Sequence, residues 1–190
     1  AFSIVPSHVL GGPGKTAPSD QLTFLQIGCG GKGNVDGREM QKAGAKLIGQ
    51  CDVDKKRAAG AFKRNAEVPK FTDYRKMLDK LADKADAVTV STPDHLHGVQ
   101  AVSAIRRGLH AYVQKPLART YHECEVMRQQ ANRQGVVVQM GNQGHSTNGL
   151  KLWEKMGEAD VFGDIESAHV WSARPGHWWP QGMDSKPNTK

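Results

Sequence analysis

Three glycines with the spacing G-x-G-x-x-G lie between an apolar run and a stretch that can form a helix. They are Gly28, Gly30 and Gly33, between the strand-like residues 22–27 and the helix-like residues 34–43. In this setting the first glycine permits a tight turn, the second lets the backbone approach a pyrophosphate, and the third lets helix pack on strand. The motif predicts a Rossmann βαβ unit whose phosphate loop also includes Gly31 and Lys32. The alternative is a plain glycine-rich turn.

Strand-like and helical patterns alternate through the following part of the chain. Apolar runs predict strands at residues 22–27, 45–51, 85–90, 109–113 and 136–140. Helical spacing predicts helices at residues 34–43, 55–65, 74–81, 94–108 and 120–133. Such alternation is typical of a parallel sheet covered by helices. We therefore expect a doubly wound α/β domain with at least five strands.

The length of 190 residues allows one complete domain and part of a second. Residues 1–20 show no helical or strand period and are expected to be an extended surface arm. Residues 21–145 are expected to form the nucleotide-binding domain. Residues 146–190, with a helix-like stretch at 150–156 and a strand-like one at 165–171, are expected to be the incomplete beginning of an open-sheet α/β substrate domain.

Charge, hydropathy and cysteine content argue against several classes of function. The net charge of +7 arises from 26 Lys and Arg scattered among 19 acids, which favours a solvated surface over a nucleic-acid site. No apolar run approaches the roughly 18 residues of a membrane helix. Cys29, Cys51 and Cys124 form no C-x-x-C pair and are expected to be free thiols. His95 and His97 would point to different sides of a helix, so no metal site is expected.

An acid at the end of the second predicted strand is suited to the adenosine ribose of a dinucleotide. Asp52 follows Gly28 by 24 residues, close to the usual spacing of about 20. A carboxylate there favours NAD over NADP. The basic residues 55–57 leave NADP open, because they could meet a 2′-phosphate, although a solvated helix start is the simpler interpretation.

Further candidate site residues follow two of the predicted strands. They are Ser91, Thr92, Pro93 and Asp94 after residues 85–90, and Lys115 and Pro116 after residues 109–113. Ligands bind at the carboxyl edge of open α/β sheets. Asp94 is either the N-cap of the next helix or a ligand contact. Lys115 could donate a hydrogen bond to a substrate hydroxyl or to the nicotinamide ribose.

The ordered set of these motifs resembles the glucose-fructose oxidoreductase / inositol dehydrogenase / MocA (Gfo/Idh/MocA) family over roughly residues 20–145. The matching segments are residues 28–33, Asp52, residues 92–97, residues 108–110 and residues 115–118. The resemblance implies a nicotinamide-dependent enzyme that oxidises a CH–OH group of a sugar or polyol.

The resemblance also implies roles for individual residues. Lys115 would be catalytic and position the sugar and nicotinamide, with Pro116 beside it. Thr92, Pro93 and His97 would line the cofactor cleft, together with Ser91, and Asn142 would lie near the nicotinamide. Two departures matter: Gln114 stands where the family usually has an acid, and the family's proton-transferring Asp and His lie in the second domain, beyond the residues present here.

Residues 4–12, 141–146 and 174–180 further resemble an exported bacterial branch with twin-arginine signals. This implies a processed N terminus at Ala1 and a periplasmic or exported protein; otherwise it would be cytoplasmic. We expect the full-length protein to be a homo-oligomer. Two other functions stay open: a redox-neutral glycosidase that retains NAD, and a non-catalytic dinucleotide-binding module.

Overall fold

The computed structural model describes residues 16–170, and its centre is a six-stranded sheet with only parallel pairings. The strands are β1 (Thr23–Ile27), β2 (Lys46–Cys51), β3 (Lys70–Phe71), β4 (Ala87–Val90), β5 (His110–Gln114) and β6 (Val138–Gly141). They lie in the order β3-β2-β1-β4-β5-β6. The predicted doubly wound Rossmann fold is therefore confirmed.

Residues 16–170 contain six α-helices. They are α1 (Gly31–Lys42), α2 (Lys55–Arg64), α3 (Tyr74–Leu81), α4 (His97–Ile105), α5 (Tyr121–Gln134) and α6 (Asn148–Glu158). Helix α5 begins with a capping box between Thr120 and Glu123, and it ends at Gly135 in the left-handed conformation. Helix α1 begins inside the glycine loop, before the predicted residue 34, because its first turn is built from the loop itself.

Helices cover both faces of the sheet, as alternating side chains of β1 show. Leu25 and Ile27 belong to the largest buried apolar cluster, which also contains Met77 of α3 and Ile105 of α4. Phe24 belongs to a second cluster, against which Met40 of α1 packs. Burial on both faces explains why the strands appear in the sequence as continuous apolar runs rather than as alternating ones.

Three local predictions were wrong or incomplete. Strand β3 was missed, because two residues are too few to give an apolar period. Asp94 caps no helix: it begins a short 3-10 turn, Asp94–Leu96, and α4 starts only at His97. Residues 165–170 form no strand, since within the described chain no other strand pairs with them; Trp171, the last residue of that prediction, lies outside it.

The sheet changes winding direction between β1 and β4. From β1 the chain adds β2 and β3 on one side, and it then returns to add β4, β5 and β6 on the other. In parallel sheets this reversal opens a crevice at the carboxyl ends of the two central strands. The segments that flank the crevice are the glycine loop after β1 and residues 91–96 after β4.

The chain divides into two compact units, and the second begins at Gly144. Within it, the Thr147 side chain caps α6 by accepting from the backbone N–H of Leu150, and the Trp153 and Phe162 rings lie 5.6 Å apart. Several of its apolar side chains are exposed, among them Trp153 and Ile165.

Some sequence predictions fall outside the described residues. These are most of the N-terminal arm, including residues 4–12, and the segment 174–180. Among the helices within residues 16–170, none is long and apolar enough to cross a membrane. All three cysteines are free.

Candidate cofactor site

Gly28 fixes the glycine loop against the strands on both of its sides. It has a φ of +84°, a conformation that favours glycine. A Cβ at this position would lie 2.5 Å from the carbonyl oxygen of Ser91. The Gly28 N–H donates to the carbonyl of Cys51 at 2.8 Å. The loop is therefore held to the ends of β2 and β4, as a tight turn at this glycine requires.

Gly33 lets α1 pack directly on the loop. A Cβ there would lie 2.1 Å from the carbonyl oxygen of Gly28. The buried Gln26 amide donates to the Gly33 carbonyl at 2.6 Å and accepts from Gln50 at 2.8 Å. The two glutamines thus tie β1 and β2 to the first turn of α1. Sequence reasoning missed them, although a polar residue inside an apolar run is a signal.

Asp52 lies at the end of β2 and binds the backbone of the glycine loop. Its Oδ2 accepts from the N–H of Cys29 at 2.7 Å and of Gly30 at 3.2 Å, while Oδ1 accepts from Asp54 at 2.9 Å. Each carboxylate oxygen can accept more than one hydrogen bond. The half-buried Asp52 therefore orders the loop and keeps acceptor capacity for ribose hydroxyls.

The two thiols beside this carboxylate, Cys29 and Cys51, are unreactive. Burial, and then the charge of Asp52, raise the pKa of Cys51 to about 12. The same two causes raise the pKa of Cys29 still further. A thiol reacts as its thiolate, so neither cysteine supplies a nucleophile to the glycine loop.

The segment after β4 offers partly exposed groups to the crevice. Ser91 and Thr92 are half-buried, and Pro93 is exposed. The Thr92 hydroxyl donates to Gln100 of α4 at 2.6 Å, which fixes its side chain. The residues predicted to line the cleft are thus at the carboxyl edge, with Ser91 also touching the glycine loop.

The structure changes the role predicted for His97. Its side chain is 1% exposed, so it has no surface with which to line a cleft. One ring nitrogen lies 2.6 Å from the carbonyl of Pro116, and the other lies 2.8 Å from that of Thr92. Because the neutral ring has one N–H, at least one of these contacts is a hydrogen bond in either tautomer. His97 joins the segments that follow β4 and β5.

Replacing His97 with alanine is expected to lower the free energy of unfolding by about 2–3 kcal/mol, because it empties a buried site and leaves a backbone carbonyl without its hydrogen-bond donor. It should also weaken NAD binding, since the two segments lose their link. Chemical denaturation and NAD titration measure the two effects. His95→Ala, at an exposed position two residues earlier, is the control and should change stability by less than about 0.5 kcal/mol. Equal stability of both variants would contradict the linking role.

Three of the predicted ligand contacts are exposed beyond β5 and β6. Lys115 and Pro116 follow β5, joined by a cis peptide bond, and Asn142 follows β6. The register pairs Gln114 with Gly141, so the two segments leave the sheet side by side. Lys115 and Asn142 are thus both solvent-accessible at the carboxyl edge, as a contact with a ligand requires.

Lys32 is directed toward the protein rather than only toward solvent. Its ammonium group forms an ion pair with Asp36 of α1, a buried carboxylate that sequence reasoning missed. Asp36 also accepts from Ser91 and Gln114. The signal in the sequence was weak, because one acid in a polar helix does not stand out.

The residues at this edge fit a dinucleotide. Gly31, where α1 begins, is exposed and has open space where a Cβ would be. The first turn of a helix presents unpaired N–H groups and a partial positive charge, which suit a pyrophosphate. Asp52 is placed for a ribose, and Lys115 for a group farther along the edge.

Comparison with known proteins gives several relatives of partial length. The chain is 30% identical over 106 residues to a 2,7-anhydro-N-acetylneuraminate hydratase of Mediterraneibacter gnavus, covering 55% of this chain and 28% of that protein. It is 30% identical over 123 residues to a levoglucosan dehydrogenase of Pseudarthrobacter phenanthrenivorans, covering 62% and 31%. It is 27% identical, over an alignment 204 residues long including gaps, to a glycosyl hydrolase family 109 protein of Shewanella sp. ANA-3. That alignment covers 98% of this chain and 43% of that protein. The matches therefore span less than half of each relative.

Solved structures show the same fold. The WlbA dehydrogenase of Bordetella pertussis, crystallised with NADH and UDP-GlcNAcA, superposes with a TM-score of 0.66 at 26% identity, over 75% of this chain and 43% of that one. The profile of the oxidoreductase family with an NAD-binding Rossmann fold matches residues 22–142, which confirms the predicted cofactor class. By this match over most of its length, the chain belongs to the Gfo/Idh/MocA oxidoreductase family, of which it contains the NAD-binding domain.

Proposed function

We propose that the protein is an NAD-dependent oxidoreductase that acts on a CH–OH group of a sugar or polyol, and that this chain supplies its nucleotide-binding part. The observation that carries the proposal is the joint placement of the glycine loop, Asp52 and the exposed Lys115 at one carboxyl edge. A levoglucosan dehydrogenase among the relatives supports the substrate class.

Each part of the edge has a distinct task in this reaction. The start of α1 binds the pyrophosphate, and Asp52 accepts from the adenosine ribose. Lys115 donates to the substrate hydroxyl or to the nicotinamide ribose and so orients the reacting carbon. Bound NAD supplies the hydride acceptor. The hydroxyl proton goes to a base that we do not assign within residues 16–170.

The same geometry favours NAD over NADP. The Asp52 carboxylate would repel a 2′-phosphate at the ribose that it is placed to bind. The basic residues 55–57 are exposed at the start of α2, where the Asp54 side chain caps the helix by accepting from the N–H groups of Lys56 and Arg57. A solvated start of α2 therefore explains these basic residues without a 2′-phosphate.

The proposal is tested in two steps. First, the melting temperature of this chain is measured with NAD and with NADP at equal concentration; we expect a larger rise with NAD. Second, the protein purified from its native cells is incubated with NAD and a panel of sugars and polyols, and NADH absorbance is followed. NAD binding with neither NADH formation nor glycoside cleavage would leave a dinucleotide-binding module instead.

A redox-neutral glycosidase is the second candidate. It is favoured by the glycosyl hydrolase family 109 relative, which aligns with nearly the whole of this chain. In that reaction NAD would be reduced and reoxidised within one turnover, so no NADH would accumulate. Release of the aryl alcohol from an aryl glycoside without net NADH formation would favour this candidate over the dehydrogenase.

We also keep export and self-assembly as proposals. Export rests on the resemblance of residues 4–12, 141–146 and 174–180 to exported proteins, and fractionation of native cells with an antibody to this chain tests it. Homo-oligomerisation of the native protein is tested by light scattering coupled to gel filtration. Recovery in the cytoplasmic fraction would contradict export, and a monomeric mass would contradict homo-oligomerisation.

A further inference from the structure

The geometry points to Asp36 as a positioning residue for the cofactor edge: its buried carboxylate holds together the start of α1 and the ends of β4 and β5, and it orients Gln114 beneath Lys115. The inference rests on the proposed function, because it assumes that this edge binds NAD. Asp36 itself lies inside the protein and acts only through these neighbours.

Three different segments donate to this one carboxylate. The Ser91 hydroxyl, after β4, donates to Oδ2 at 2.8 Å, and the Gln114 amide, at the end of β5, donates to the same oxygen at 3.0 Å. Oδ1 pairs with the ammonium group of Lys32 in the first turn of α1. The Asp36 side chain is 4% exposed, and a carboxylate so buried persists only when such partners compensate its desolvation.

Asp36 affects Lys115 through the orientation of the Gln114 amide group. Because Asp36 takes the NH₂ end, the Gln114 oxygen is left to accept from the backbone N–H of Lys115, at 3.3 Å. The neighbouring strand leaves room for this amide: a Cβ on Gly141 would lie 2.8 Å from the Gln114 nitrogen. Loss of the negative charge at Asp36 would remove the reason for this orientation.

The short distance between the side chains of residues 36 and 114 also limits which of them can be a carboxylate. Two ionised carboxylates 3 Å apart repel strongly, and one of them would have to become protonated. Residues 36 and 114 can therefore carry one charge between them. With aspartate at 36 the residue at 114 has to donate, and with glutamate at 114 the residue at 36 has to donate.

Exchanging the carboxylate and the amide between positions 36 and 114 tests the inference. The dissociation constant for NAD is measured by calorimetry for the unsubstituted chain, Asp36→Asn, Gln114→Glu and the double variant Asp36→Asn/Gln114→Glu, at a temperature where circular dichroism shows all four folded. Each single variant should bind about tenfold more weakly. The double variant, which restores one carboxylate and one donor, should recover to within about threefold of the original value. Asp79→Asn, which breaks an exposed ion pair with Arg107, is the control and should bind normally.

Two results would overturn the inference. One is Asp36→Asn that melts earlier but binds NAD as tightly as the original, which would make the carboxylate structural only. The other is a double variant that binds no better than the weaker single variant. If the unsubstituted chain itself bound no NAD, the proposed function would fail first, and the inference with it.

Discussion

Replacing Gly33 with alanine is expected to abolish measurable NAD binding and to lower the free energy of unfolding by about 3 kcal/mol or more. The added methyl group would lie 2.1 Å from the carbonyl oxygen of Gly28 and 3.1 Å from the Cβ of Ser91. The first of these contacts is with backbone, so rotation of a side chain cannot relieve it. Helix α1 would have to move away from the glycine loop. Its first turn would then no longer be in position to bind the pyrophosphate. Chemical denaturation and NAD titration measure the two losses.

Gly60→Ala is the matched control for this substitution. Gly60 lies in α2, is exposed, and has no atom within 4 Å of the position of a Cβ. Alanine is the better helix former, so this variant should be more stable by roughly 0.5–1 kcal/mol and bind NAD normally. Normal NAD binding by Gly33→Ala would show that close packing of α1 on the loop is unnecessary.

Replacing Asp52 with alanine is expected to raise the dissociation constant for NAD about 100-fold. The carboxylate accepts from two backbone N–H groups of the glycine loop, and hydrogen bonds to a charged group contribute about 1.5–3 kcal/mol each. The variant would lose both the order of the loop and the proposed ribose contact. Titration with NAD and NADP should also show a smaller preference for NAD, because the charge that repels a 2′-phosphate is gone.

Asp54→Ala separates this effect from a general loss of stability. Asp54 lies two residues further on and caps α2 through the N–H groups of Lys56 and Arg57. Its loss should lower the free energy of unfolding by about 1 kcal/mol and leave NAD affinity nearly unchanged. If the two aspartate variants bound NAD equally well, Asp52 would have no special place in the site.

Much of the fold was predictable because its signals are local. Gly28 and Gly33 lie at a strand-to-helix junction, and the apolar runs that became β1, β2, β4, β5 and β6 are long enough to identify. Strand β3 and the turn at Asp94 were not predictable, since a two-residue strand exists only through its partner and a 3-10 turn differs from a capped helix by small backbone rotations.

The sequence by itself determined the Rossmann unit, the family and the set of residues at the carboxyl edge, because glycine spacing and strand ends are properties of neighbouring residues. Only the tertiary structure decided what several of those residues do. It buried His97 between two carbonyls, and it buried the Asp36 carboxylate that pairs with Lys32. It also brought Gln114 within hydrogen-bond distance of a carboxylate 78 residues earlier in the chain. The contact between Asp36 and Gln114 depends on where α1 lies relative to the ends of β4 and β5, and no local pattern in the chain encodes it.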